Sequence, residues 1–188
     1  MKIGLFFGSF NPIHIGHLII ANTMAEHLDR IWFVVSPQNP FKKNKSLLHE
    51  FDRLTMVEKA IQDNHKFAVS DVEFSMPRPS YTIDTLSYLA EKNPHHQFQL
   101  IIGSDNLKRF PQWKNYQQIL DEYGLMVYPR PGKSADQFMD HPKVHYVEAP
   151  LLDISATYIR KCVKEGRSLR YLLPMSVAQY IDQQQFYL

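Results

Sequence analysis

Residues 2–7 (Lys-Ile-Gly-Leu-Phe-Phe) form an apolar run that stops at the turn formers Gly8-Ser9-Phe10-Asn11-Pro12. The next apolar positions, Leu18, Ala21, Met24, Ala25 and Leu28, recur at helical spacing over 15–28. A second run, Ile31-Trp32-Phe33-Val34-Val35, closes at Ser36-Pro37, and its unbroken apolar character suits a strand buried on both faces. Strand, glycine turn, helix and strand within the first 36 residues make a βαβ unit, and a βαβ unit commits the chain to a parallel sheet.

The alternation continues. A basic stretch (Lys42-Lys43-Asn44-Lys45) precedes an expected helix over 50–62, a strand over 67–74 and a helix from about Thr82. Phe98-Gln99-Leu100-Ile101-Ile102 reads as a strand ending at Gly103-Ser104-Asp105, and further strands are expected at 125–128 and 144–148. Helices follow from Ser155 to about Lys164 and from Pro174 through Ile181. The pattern predicts an α/β, Rossmann-like doubly wound parallel sheet, with ligands at the carboxyl ends of the strands. A length of 188 residues with no linker-like break fits a single domain over 1–188, its C-terminal helical part from about 155 packed on the rest; 133–142 is polar enough for a mobile surface loop.

Composition removes several classes. A net charge of +2 with both signs interspersed indicates neither a nucleic-acid polymer nor a membrane as partner. One cysteine, Cys162, excludes an internal disulfide framework and a multi-thiolate zinc site, which points to the cytoplasm. There is no Gly-x-x-x-x-Gly-Lys loop and no Gly-x-Gly-x-x-Gly, and His49-Glu50 lacks the second histidine of a zincin. His95-His96 and His141 with His145 read as solvated loop histidines, and no residue is assigned as a metal ligand.

The densest chemistry lies in Gly8 through His17. His14 and His17 share one side of a helical turn, Gly16 between them opens the backbone, and the helix start adds N–H groups and a positive dipole end. Such a constellation is an anion site. A second helix start, Ile154-Ser155-Ala156-Thr157-Tyr158-Ile159-Arg160, has Ser155 as N-cap, hydroxyls at Ser155 and Thr157, and the guanidinium of Arg160 for phosphate. Ser80-Tyr81-Thr82-Ile83-Asp84-Thr85-Leu86 reads locally as a capping signature, Thr82 with Asp84 and Thr85 opening a helix. Trp113 stands in a partly polar loop, as fitting for a stacking platform as for a buried anchor.

In this order the segments resemble the bacterial nicotinate-nucleotide adenylyltransferases of the nucleotidyltransferase superfamily, over essentially the whole chain. Gly8–His17 is similar to the family's His-x-Gly-His signature, Ser80–Leu86 to its Ser-Tyr-Thr-x-Asp-Thr-Leu segment, and Ile154–Arg160 to its Ile-Ser-x-Thr-x-Ile-Arg segment. The resemblance implies the nucleotidyltransferase (HIGH-type) α/β phosphodiesterase fold, ATP and nicotinate mononucleotide as substrates, and nicotinate adenine dinucleotide with pyrophosphate as products, a step of NAD biosynthesis. It assigns ATP to Gly8, Ser9, Phe10, His14, Gly16, His17, Gly103, Asp105, Ser155, Thr157 and Arg160. Nicotinate mononucleotide falls to Ser9, Lys42, Tyr81, Thr82, Trp113 and Lys114, with Thr82 on the carboxylate and Trp113 stacked on the pyridine ring. The chain departs from the family's common pattern at Phe41 before Lys42, at Ala156 and at Asn11.

The expected reaction is in-line attack of the acceptor's 5′-phosphate on the α-phosphorus of ATP, with no covalent intermediate and no general base. His17 and His14 are the expected catalytic residues, His17 donating to oxygens that gain charge and His14 orienting the phosphates. Mg2+ is expected to arrive bound to ATP, since no carboxylate cluster suggests a cage. The oligomeric state, a homo-oligomer included, is left open. A sister adenylyltransferase acting on phosphopantetheine would leave Tyr81-Thr82 and Trp113 without a reason, and a class I aminoacyl-tRNA synthetase would need a longer chain. A nucleotide-binding module without catalysis would have no need of intact His14, His17, Ser155 and Arg160.

Overall fold

In the computed structural model, which describes residues 1–37, 47–130 and 137–188, six strands form one sheet: β1 (Lys2–Gly8), β2 (Arg30–Val35), β3 (Phe67–Ser70), β4 (Gln97–Gly103), β5 (Leu125–Tyr128) and β6 (Val144–Tyr146). Their order is β3-β2-β1-β4-β5-β6, and every neighbouring pair is parallel. The order reverses at β1, so a crevice opens between the carboxyl ends of β1 and β4. Gly8 and Gly103 stand at those two ends.

Side chains alternate between the two faces of the sheet and so divide the core. Ile3, Leu5, Leu100, Ile102, Leu125 and Val127 join Ile83, Leu86 and Leu89 of α3 (Thr82–Lys92), together with Leu107 of α4 (Ser104–Leu107). Phe6, Phe33, Ile101 and Met126 face α1 (Ile15–Met24), α2 (Glu50–Ile61), α6 (Ala156–Lys164) and α7 (Met175–Gln183). A short α5 (Tyr116–Gln118) and a wide turn at Ile119–Tyr123 lead into β5. Gly4 is tightly enclosed by side chains on one face of the sheet, where a Cβ would lie 2.6 Å from Leu28 Cδ1 and 2.7 Å from Ile101 Cδ1.

Three boundaries differ from the sequence expectation. The first helix ends at Met24 rather than near 28, because Glu26 N–H and His27 N–H turn back to Thr23 and Met24 in tighter hydrogen bonds. Ala25 and Leu28 remain buried, so the apolar spacing was right and the helix was not. The strand expected over 67–74 stops at Ser70, and Val72–Ser75 forms a 3-10 turn that buries Glu73. The last strand ends at Tyr146. Lys42 with its basic neighbours, and 133–136 of the polar stretch, lie outside the described residues.

Candidate active site

The carboxyl ends of β1 and β4 open onto a cavity of about 530 Å3. Gly8, Ser9, Tyr81, Thr82, Gly103, Trp113 and Lys114, all named from the sequence, line it. Trp113 is half-buried and meets Phe110 edge-on at 5.6 Å, which anchors one part of the indole and leaves the rest to the cavity. Lys114 Nζ is held 2.8 Å from Asp84 and 4.9 Å from the centre of the Tyr81 ring.

Helix α3 starts differently from the capping signature. Tyr81, not Thr82, is the N-cap, and its side chain makes no capping bond. Asp84 N–H and Thr85 N–H turn back to the Tyr81 carbonyl at 3.0 and 3.2 Å, so that the Thr82 and Ile83 N–H groups have no acceptor among the described residues. Thr85 Oγ1 donates to Glu73 Oε1 at 2.8 Å instead of capping. Burial pushes the Glu73 carboxyl up, opposed by the hydroxyls of Thr85, Ser36 and Ser80.

His14 and His17 are not part of the cavity lining; His17 lies one ring away from it, against Phe6, with ring centres 6.0 Å apart. Phe10 has a left-handed backbone (φ 44°) and a buried ring that lies against Gly8, where a Cβ would meet it at 2.8 Å. The Phe10 ring therefore belongs to the core. His14 caps α1, is 4% exposed, and stacks on His17 with ring centres 3.7 Å apart. His14 N–H donates to His17 Nδ1 at 3.2 Å. A neutral imidazole whose Nδ1 accepts carries its proton on Nε2. Burial and the Arg130 charge lower His14 to about 4, and burial, His14 and Arg130 hold His17 well below the usual imidazole range. Both rings are neutral near pH 7.

Not every N–H at this helix start is free. Ile15 N–H donates to the Leu172 carbonyl at 3.0 Å and His17 N–H to the His14 carbonyl at 2.9 Å, which leaves that of Gly16 among the described residues. The second helix start touches the first. Arg160 donates to the Asn11 carbonyl at 2.7 Å, and a Cβ on Gly16 would lie 2.7 Å from Ile154 Cγ2. Ser155 caps α6 as expected, accepting from Tyr158 N–H at 3.2 Å, and Thr157 Oγ1 accepts from Arg160 at 3.2 Å. Asp105 is exposed, its Oδ1 beside Gly103 and 3.8 Å from Arg130 Nε.

Sequence reasoning missed two arginines. Arg53 is 0% exposed and donates to the carbonyls of Ser9 (2.5 Å), Ser36 (2.8 Å), Pro37 (3.0 Å) and Leu48 (3.0 Å), pulling together the segments that follow β1 and β2. Its spacing to Met56, Val57 and Ala60 puts it on the buried face of α2, and that was the available signal. Arg130 follows β5, beside the switch point; it lies over the Tyr128 ring at 5.1 Å, and its N–H is held by Ser104 Oγ at 2.9 Å. Glu73 carried no signal, sitting inside a stretch that reads as strand.

Around this six-stranded parallel sheet, with two helix starts in contact near its switch point, the cytidylyltransferase-like family model matches residues 5–162. More closely, a protein of Cytophaga hutchinsonii named "probable nicotinate-nucleotide adenylyltransferase" is 61% identical over 100% of this chain and 98% of its own. One of the same name from Flavobacterium johnsoniae is 51% identical over 100% and 99%. The chain belongs to the nicotinate-nucleotide adenylyltransferase family. In fold it is similar to the Plasmodium falciparum nicotinic acid mononucleotide adenylyltransferase complexed with NaAD, at a TM-score of 0.80 and 20% identity, covering 99% of this chain and 97% of that one.

Proposed function

We infer that this protein transfers the adenylyl group of ATP to nicotinate mononucleotide, giving nicotinate adenine dinucleotide and pyrophosphate in NAD biosynthesis, from a single nucleotidyltransferase domain in the cytoplasm. The observation that carries the reading is the contact of two helix starts, His14–His17 and Ser155–Arg160, beside a cavity walled by Tyr81, Thr82 and Trp113.

A 5′-phosphate oxygen of the acceptor attacks the α-phosphorus of ATP; the new P–O bond forms as the bond to the β-phosphate breaks, and its electron pair leaves with pyrophosphate. The nucleophile is already anionic, so the protein's work is alignment and charge stabilisation. His17 meets the transferring group with Nε2–H, and His14 packs behind it to fix its plane. Gly16 N–H, Arg160 and Arg130 supply donors and positive charge for the phosphates, with Ser155 and Thr157 at their edge. Gly103 and Asp105 take the adenosine.

On the acceptor side, the free N–H groups of Thr82 and Ile83 and the Thr82 hydroxyl suit a carboxylate at a helix start. Trp113 stacks on the pyridine ring, with Tyr81, Lys114 and Lys42 completing the mononucleotide's surroundings. Among the described residues no three His, Cys, Asp or Glu side chains group as a metal site; Mg2+ enters as part of the substrate, bound to ATP. The deciding measurement is pyrophosphate release from ATP with nicotinate mononucleotide and with nicotinamide mononucleotide. Turnover favouring the acid is expected; equal rates would remove the role given to Thr82, and none with either would remove the reaction.

A further inference from the structure

Beyond α7 the chain turns back on itself. Gln185 and Tyr187 take left-handed backbone angles (φ 55° and 67°), Phe186 N–H returns to the Ile181 carbonyl at 3.0 Å, and the Phe186 ring meets Tyr180 at 5.6 Å. The reversal carries Tyr187 to the turn after β1. Its hydroxyl donates to Asn11 Oδ1 at 2.8 Å. Leu48 N–H donates to the same oxygen at 3.3 Å, and Arg160 donates to the Asn11 carbonyl at 2.7 Å. Since a backbone N–H can only donate, the Asn11 amide must present its oxygen here.

Three donors from remote parts of the chain thus converge on a residue that is 2% exposed and three positions ahead of His14. The preceding Phe10 holds a left-handed backbone that non-glycine residues rarely adopt, so this turn depends on its surroundings for its shape. Burial pushes the Tyr187 phenol up, against the pull of Arg160 and Arg53, and keeps it a donor. Packing alone does not require the hydroxyl, because a phenylalanine ring would fill the same space.

We propose that Tyr187 is a positioning residue for adenylyl transfer: through Asn11 it fixes the turn that aims His14 and His17 and joins that turn to Arg160 on α6. This rests on the function proposed above. It also gives Asn11 a defined task as a hydrogen-bond acceptor.

The test is Tyr187→Phe in the full chain, read in two ways. In steady-state assays kcat should fall roughly tenfold with both KM values within about twofold, since small misplacements of reacting groups act on the chemical step. In imidazole 15N spectra of the free protein, the His17 signals should move from one Nε2–H tautomer to a mixture. Asn11→Ala should lower kcat as well, and the double variant should fall no further than Asn11→Ala alone. Unchanged kcat and unchanged His17 signals in Tyr187→Phe, or losses that multiply in the double variant, would overturn the proposal. The spectra do not depend on turnover: a wild-type protein inactive on nicotinate mononucleotide whose His17 signals still respond to Tyr187→Phe would fault the assigned reaction and not the positioning.

Discussion

At neutral pH the His17 ring is uncharged, because burial, His14 and Arg130 all disfavour its protonated form, and in the proposed reaction it would act as a neutral donor. An uncharged ring with a fixed Nε2–H still strengthens its hydrogen bond as negative charge grows on the oxygens of the transferring phosphoryl group, and it brings no tight ground-state ion pair. Its contribution therefore belongs to turnover more than to binding. His17→Ala is expected to lower kcat by about 10²–10³ while both KM values change by less than about threefold. Near-normal turnover with unchanged binding would show that Arg160, Arg130 and the helix starts suffice without it.

The two helix starts meet at a glycine. Gly16 lies in the first turn of α1, and the space of a Cβ is already occupied by Ile154 Cγ2 at 2.7 Å and the His14 ring at 3.1 Å. Alanine there gains about 1 kcal/mol of helix propensity and loses a comparable amount to crowding. Gly16→Ala should thus leave the melting temperature nearly unchanged and lower turnover roughly tenfold or more, by spreading His14 from the Ile154 segment. Equal activity would mean that Ile154 yields freely. This contact also marks how far the sequence could be read. Strand and helix periodicity showed the βαβ order, and the turn formers at 8–12 marked the turn between β1 and α1, because both are local patterns. Which of the N–H groups at that site were already taken was not local: Leu172 holds Ile15, and Arg53 gathers four carbonyls from segments after two different strands. Trp113 and Thr82 were found only because a family order pointed to them; their own neighbourhoods read as a loop and a capped helix.

Stability belongs to the whole molecule, and His14 links it to pH. Its folded value of about 4 lies below the ordinary 6.5, so the unfolded chain binds the proton first as acid is added. The contribution is complete above about pH 6.5 and is lost as pH falls towards 4; the difference corresponds to about 3 kcal/mol. His17 acts in the same direction. Glu73, raised by burial, acts in the opposite one, its stabilisation fading as pH climbs above 4.5. Comparing urea midpoints of the wild-type protein and His14→Asn between pH 7 and 4.5 isolates the histidine: the wild type should lose more on acidification, and parallel losses would remove His14 as the cause.

The bond from Ile15 N–H to the Leu172 carbonyl bears on how the protein comes to life on the ribosome. The sheet strands β1 to β4 are all synthesised before residue 104, and a nascent chain of that length can begin to pair them while the rest is still being made. The first turn of α1 cannot make this bond until the segment around residue 172 has emerged and folded back. Until then Ile15 N–H lacks the acceptor that holds it in the folded chain.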